Sequence, residues 1–118
     1  MRKNWKRRWM IIRVGRGPDG ADGAWLTYYD RFENGVLGTF LGVVDLNEVR
    51  ALSPQSDLGP GIFEVDTAGA KPRVYYLRPD DGAPEPAERD AWLAAIRDAA
   101  KAGRARAASQ QQNTSLEI

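Results

Sequence analysis

Hydrophobic residues in the first two thirds of the chain occur in short runs, and turn residues separate these runs. The runs are rich in Val, Ile, Tyr and Trp, which favour extended backbone, whereas Gly, Pro, Asp and Ser dominate the gaps. This pattern predicts a series of short strands with short connections, which is typical of antiparallel sheet. The predicted strands are 5–14, 24–30, 42–46, 49–53, 61–66 and 73–78.

The hydrophobic period changes towards the C-terminus and there predicts a helix over residues 86–102. Four apolar residues share one helical face at spacings of three and four: Trp92, Ala95, Ile96 and Ala99. Two prolines stand where a helix can start, and Gly103 stands where it can end. Residues 104–118 lack this period and predict a disordered tail, so the folded domain is expected over 1–103.

Composition restricts the chemistry of this single domain. The chain has no Cys and no His, so Ser-His and Cys-His nucleophile pairs, disulfides and thiolate or imidazole metal sites are excluded. No pair of carboxylates is singled out by its spacing. We therefore expect no catalytic residue, no metal and no cofactor. The absence of Cys fits a cytoplasmic protein, and no apolar run is long enough to span a bilayer.

Charge is segregated along the chain even though the net charge is only +1. Residues 1–16 hold seven cations and no acid, and the rest of the chain holds ten cations against sixteen acids. The densest run, Trp-Lys-Arg-Arg-Trp at residues 5–9, interleaves cations with aromatic rings. Such an electropositive end favours an anionic partner. Nucleic acid is not expected, because the basic patch is short and the remainder is acidic.

The order of elements resembles the pleckstrin homology (PH) domain, which has antiparallel strands followed by one helix with a central tryptophan. KNWKRRWMII is similar to the second strand of that family, LTYYD to the third, GVVDL to the fourth, and IFEVDT and RVYYLR to the last two. AWLAAI resembles the helix, with Trp92 as its hallmark tryptophan. The resemblance implies a mainly β fold, with two nearly orthogonal antiparallel sheets in a partly open barrel and one C-terminal α-helix at one end.

One element of the family has no counterpart here. PH domains begin with a strand before the basic segment, and the sequence shows no such strand before Trp5. The strand that contains WMIIRV would then form an exposed apolar sheet edge, which promotes pairing with another chain. Our hypothesis is that a partner strand or dimerisation covers this edge.

The basic segment predicts a ligand site at the open end of the barrel. With a period of two, Lys6 and Arg8 share a face with Met10 and Ile12. If the apolar residues face the core, the two cations line the mouth, where water and anions reach them. Five residues are assigned to headgroup binding on these grounds and on the resemblance: Lys3, Lys6, Arg8, Tyr28 and Lys71.

Two functions follow as alternatives. The first is a non-catalytic adaptor that recruits its protein to membrane by binding phosphoinositide or other anionic lipid. Each basic residue near an anionic leaflet contributes about 1 kcal/mol, so we expect weak and unselective binding. The second is a protein-interaction scaffold of PH-like fold without appreciable lipid binding. Either function implies a cytoplasmic protein, and the first implies peripheral membrane association.

Overall fold

The computed structural model describes residues 6–17, 20–59, 61–79 and 86–116, with helix side chains described for 87–108. The strands in these ranges are β1 (Trp9–Arg16), β2 (Asp22–Tyr29), β3 (Phe32–Glu33), β4 (Val36–Leu37), β5 (Phe40–Asp45), β6 (Val49–Ser53), β7 (Phe63–Thr67) and β8 (Arg73–Leu77). A 3-10 helix spans Leu46–Glu48, and the α-helix α1 spans Pro86–Leu116.

The strands form three antiparallel sheets, ordered β1-β2-β5, β3-β4 and β6-β7-β8. The predicted fold class, mainly β with one C-terminal helix, is confirmed. The arrangement is compatible with a PH-like fold. It differs from the expected pair of sheets, because the β3–β4 hairpin forms a third one.

The β3–β4 hairpin follows from a turn signal that the predicted strands did not include. Asn34 and Gly35 have φ values of 52° and 76°, and a two-residue I′ turn requires positive φ at both of its central positions. Asn-Gly is the residue pair that adopts this turn most readily. The turn pairs Glu33 with Val36 and Phe32 with Leu37, so that two short strands form a hairpin.

The register of β1, β2 and β5 separates an inner from an outer face. Cross-strand partners share a face. The inner face is the one that holds the buried residues Ala24 and Leu26 together with their partners on the neighbouring strands. The buried core lies on this face and between the elements that cover it: Ala24, Leu26, Val44, Leu46, Val49, Phe63, Val65, Ile96, Ala99 and Ala100. Met10 and Ile12 of β1 pack against this core, as the alternation of polar and apolar residues predicts.

The strand bounds differ from the predicted ones mainly at the start of β1. This strand begins at Trp9, although the sequence pattern predicted a start at residue 5, which lies outside the described residues. Lys6 and Arg8 precede the strand and are exposed. The other predicted strands are each present with ends shifted by at most two residues.

Helix α1 packs on β1, β2 and the 3-10 helix. Ile96, Ala99 and Ala100 are buried, and Trp92 is half-buried against the core. Ala95 was predicted on this face but is exposed. No helix within the described ranges combines the length and the apolar character that crossing a bilayer requires.

Helix α1 does not end at Gly103 but continues to Leu116, where the sequence pattern had predicted a disordered tail from residue 104. Gly103 is buried, and a Cβ there would lie 2.6 Å from the backbone nitrogen of Ala24. The glycine therefore allows the helix to approach β2 closely.

Beyond this contact, Arg104 and Arg106 tie the helix to the sheets. The Arg104 guanidinium donates to the carbonyl oxygens of Asn47 and Val49, and Arg106 Nε lies 2.7 Å from Asp22 Oδ1. Alternating Arg and Ala residues have no apolar helical period, so the pattern of residues 104–108 could not reveal these contacts.

Candidate functional site

The basic segment lies at one end of the β1-β2-β5 sheet. Lys6 and Arg8 are exposed and stand directly before Trp9, the first residue of β1 and the partner of Tyr29 at the end of β2. Arg8 Nη1 donates to the carbonyl oxygen of Arg7 at 2.9 Å. Because residues 6–8 are not part of the strand, the alternation that predicted a shared inward face for Lys6 and Arg8 does not extend to them.

Tyr28 lies on the inner face of the same end of the sheet. It pairs with Met10 on β1 and with Gly42 on β5, and it is half-buried against the core. A Cβ at Gly42 would lie 2.7 Å from Tyr28 Cζ, so the ring covers this glycine. Tyr28 is thus paired with Met10, which follows Arg8 by two residues in the chain.

Lys71 is placed elsewhere. It is exposed in the turn between β7 and β8, and Ala68 N at the start of this turn donates to Glu48 O at 2.7 Å. The side chain of Asn47, the residue before Glu48, is hydrogen-bonded to the backbone of Ala24. The turn is therefore anchored beside the start of β2, whereas Lys6 and Arg8 lie beside its end. Lys3 lies outside the described residues.

An exposed group of aromatic rings adjoins the basic segment, and the sequence pattern did not predict it. This aromatic patch consists of Trp9, Tyr29, Phe32 and Phe40. Trp9 and Phe32 stack with ring centroids 4.7 Å apart and planes 15° apart, and Tyr29 and Phe40 meet edge to face at 5.8 Å. Trp9, Phe32 and Phe40 are 46%, 42% and 49% exposed.

Three elements build the aromatic patch. The pairing of β1, β2 and β5 aligns Trp9, Tyr29 and Phe40 in one row on the outer face, and the β3–β4 hairpin adds Phe32. Val36, on the other strand of the hairpin, is 66% exposed. The signal that could have found this surface is the Asn-Gly turn, which predicts a hairpin with an aromatic residue two positions before it.

Hydrogen bonds on the outer face hold the Tyr29 ring. Arg13 Nε donates to Thr27 Oγ1 and Arg13 Nη2 donates to Tyr29 Oη, both at 3.3 Å. The Thr27 hydroxyl and then the Arg13 guanidinium lower the pKa of Tyr29 below its usual 10.0, because both stabilise the phenolate. Arg13 is therefore engaged on the sheet, unlike the cations that precede Trp9.

A groove runs along the inner side of β1. Its first part has a volume of about 300 Å³ between β1, β8 and α1, and its lining includes Met10, Leu77 and Trp92. Its second part, of about 290 Å³, continues past Ile12 and Ala95. Trp92, predicted as the structural hallmark of the helix, lines both parts.

The described residues contain no group of three or more carboxylates that could hold a metal ion. Comparisons with protein-family models, with curated proteins and with solved structures found no match. The resemblance to PH domains therefore depends on the order of elements and on the strand and helix motifs alone.

Proposed function

We propose that the protein is a non-catalytic, PH-like adaptor that binds anionic membrane surfaces weakly. The observation that carries this proposal is the position of the exposed aromatic patch directly beside the exposed cations Lys6 and Arg8. Cations favour an anionic leaflet, and Trp and Tyr rings favour the interface between headgroups and acyl chains. The two features together suit a lipid surface better than either alone.

Magnitudes support weak binding. Lys6 and Arg8 contribute about 1 kcal/mol each near an anionic leaflet, which corresponds to an enrichment of about thirtyfold. Burial of apolar ring surface adds roughly 25 cal/mol per Å² removed from water. These contributions are sufficient for peripheral membrane association. Raised salt or the loss of a few side chains should reverse it.

Low selectivity among anionic lipids is also part of the proposal. A selective headgroup pocket needs several converging charge-assisted hydrogen bonds. Lys6, Arg8 and Tyr28 lie at one end of β2, but the turn with Lys71 is anchored at the other end. Fewer converging cations favour recognition of surface charge over recognition of one phosphoinositide.

The test is sedimentation with vesicles of phosphatidylcholine that contain phosphatidylserine or a phosphoinositide. The double variant Lys6→Ala/Arg8→Ala should bind about tenfold to thirtyfold less tightly than the parent, since it loses about 2 kcal/mol. The matched control is Arg97→Ala/Lys101→Ala, which removes the same charge from exposed positions of α1. Equal binding of the two double variants would refute the assignment of the basic segment.

A further inference from the structure

The outer edge of β1 is unpaired within the part of the chain that the structure describes. β1 is eight residues long and pairs only with β2 there. Every second residue of such an edge points its N–H and C=O groups away from the sheet, which is a template for another strand. β1 contains no proline, and its interior cation, Arg13, is drawn onto the outer face by Thr27 and Tyr29.

The groove gives this edge side-chain pockets on the inner side. The lining of the groove includes Met10 and Ile12 of β1, Leu77 of β8, and Trp92 and Ala95 of α1. A strand added to β1 would direct alternate side chains into this groove. Apolar side chains fit there, because four of these five residues are aliphatic or thioether and the fifth is an indole.

Charge decides what kind of strand fits. Lys6 and Arg8 are exposed before the start of β1, and Arg16 is exposed at its end. Within the groove, Glu88 lines both parts and Arg78 lines the first, so the charges of its lining balance. A second copy paired antiparallel about the centre of β1 would bring its Arg16 opposite Trp9 and next to Arg8. Because like charges at such positions are destabilising, an acidic strand fits this edge better than a second copy.

We propose that β1 binds an extended acidic segment of a partner protein by strand addition. The segment has apolar side chains at alternate positions, which enter the groove, and carboxylates at its ends, which lie beside the cations that flank β1. Main-chain hydrogen bonds provide the affinity in this mode, and the pockets for alternate side chains provide the specificity. The segment and the proposed lipid surface share Lys6 and Arg8, but binding of the segment needs no membrane.

Fluorescence anisotropy with a labelled synthetic peptide tests this proposal without lipid. The peptide carries two glutamates at each end and alternating valine and threonine between them. We expect saturable binding that weakens at least tenfold when lysines replace the glutamates, because the attraction becomes a repulsion. Two further peptides are N-methylated on alternate residues, one at the odd positions and the other at the even positions. Their affinities should differ at least tenfold, since only one of these two frames removes the hydrogen bonds that face β1.

Protein variants locate the site. Ala95→Gln places a larger side chain in the groove from an exposed helix position and should weaken binding at least tenfold, whereas Ala102→Gln, at an exposed position two turns further along α1, should not. Four outcomes would overturn the proposal: no saturation up to about 1 mM peptide, equal affinity for the lysine peptide, equal affinity for the two N-methylated frames, or equal affinity of the two glutamine variants. A dimer by analytical ultracentrifugation that the peptide dissociates would assign the edge to a second copy instead.

Discussion

Gly103 shows how a single residue sets the distance between α1 and the sheet. Its position after an amphipathic run is typical of a helix end, yet the helix continues through it. The cause is tertiary: the glycine faces the backbone of Ala24 and the Asn47 side chain, where a Cβ would be closer than normal contact allows. A local pattern could not distinguish these two uses of glycine.

Substitution of this glycine by alanine should therefore destabilise the protein, although helix propensity alone predicts stabilisation. In a free helix Gly103→Ala would be worth about 1 kcal/mol of stabilisation, but here we expect a net loss of about 1–3 kcal/mol in the free energy of unfolding, because the methyl group must displace β2 or the helix. Urea unfolding monitored by tryptophan fluorescence measures this change. The control is Ala102→Gly at the adjacent exposed position, which should lose only about 0.5–1 kcal/mol. Stabilisation by Gly103→Ala would contradict the close packing.

Tyr29 gives a second prediction at the scale of one residue. The Thr27 hydroxyl and then the Arg13 guanidinium lower the pKa of Tyr29, so Arg13→Gln should raise this pKa part of the way towards 10.0 by removing the second of these groups. The lowered pKa in the folded parent contributes stability that is present above the unfolded pKa and is lost as pH falls through the folded pKa. The parent should therefore gain stability relative to Arg13→Gln as pH rises between these two values.

Titration of ¹³Cζ-tyrosine signals by NMR measures the pKa of Tyr29 directly. Arg50→Gln is the control, because Arg50 pairs with Asp66 at 3.1 Å in another sheet and should leave the pKa of Tyr29 unchanged. An unchanged pKa in Arg13→Gln would show that Arg13 does not hold the Tyr29 hydroxyl in solution.

At the scale of elements, α1 continues to contact the rest of the fold beyond the point where its apolar face ends. Ile96, Ala99 and Ala100 bury the helix by apolar contact, but Arg104 and Arg106 anchor it by hydrogen bonds and an ion pair to loop and strand. Sequence periodicity detects the first kind of contact and not the second, since an arginine that meets a carbonyl looks like a solvent-exposed arginine.

Truncation separates these contributions. A variant that ends at residue 108 should unfold with nearly the parent free energy, whereas one that ends at residue 103 should lose about 2 kcal/mol, mainly from the charged hydrogen bonds of Arg104. Arg104→Gln in the full chain should reproduce most of that loss, and Arg106→Gln should lose less than about 1 kcal/mol, because its ion pair with Asp22 is partly exposed. Equal stability of the two truncated variants would contradict the anchoring role of Arg104.

For the molecule as a whole, the sequence predicted the fold class better than the candidate site. Runs of β-forming residues and a 3.6-residue period give the order of elements, because those patterns arise within each element. The aromatic patch depends on how three strands and a hairpin come together, so no single period reveals it. Lys6 and Arg8 were expected to line the open end of the barrel through the alternation of β1, but the strand begins only at Trp9, so their side chains are not aligned by the pleat.

The segregation of charge along the whole chain leads to a prediction about salt. Raising ionic strength from about 0.01 M to about 1 M shortens the Debye length from about 30 Å to about 3 Å, so binding of the parent to anionic vesicles should fall by more than tenfold. Lys6→Ala/Arg8→Ala should flatten this salt dependence, whereas Phe32→Ser/Phe40→Ser should keep the slope and weaken binding at every salt concentration, because it removes apolar ring surface and no charge. Leu58→Ser, at an exposed apolar position in the β6–β7 connection, is the control and should bind like the parent. If the phenylalanine variant also bound like the parent throughout, the aromatic patch would have no part in membrane association and the basic segment would act alone.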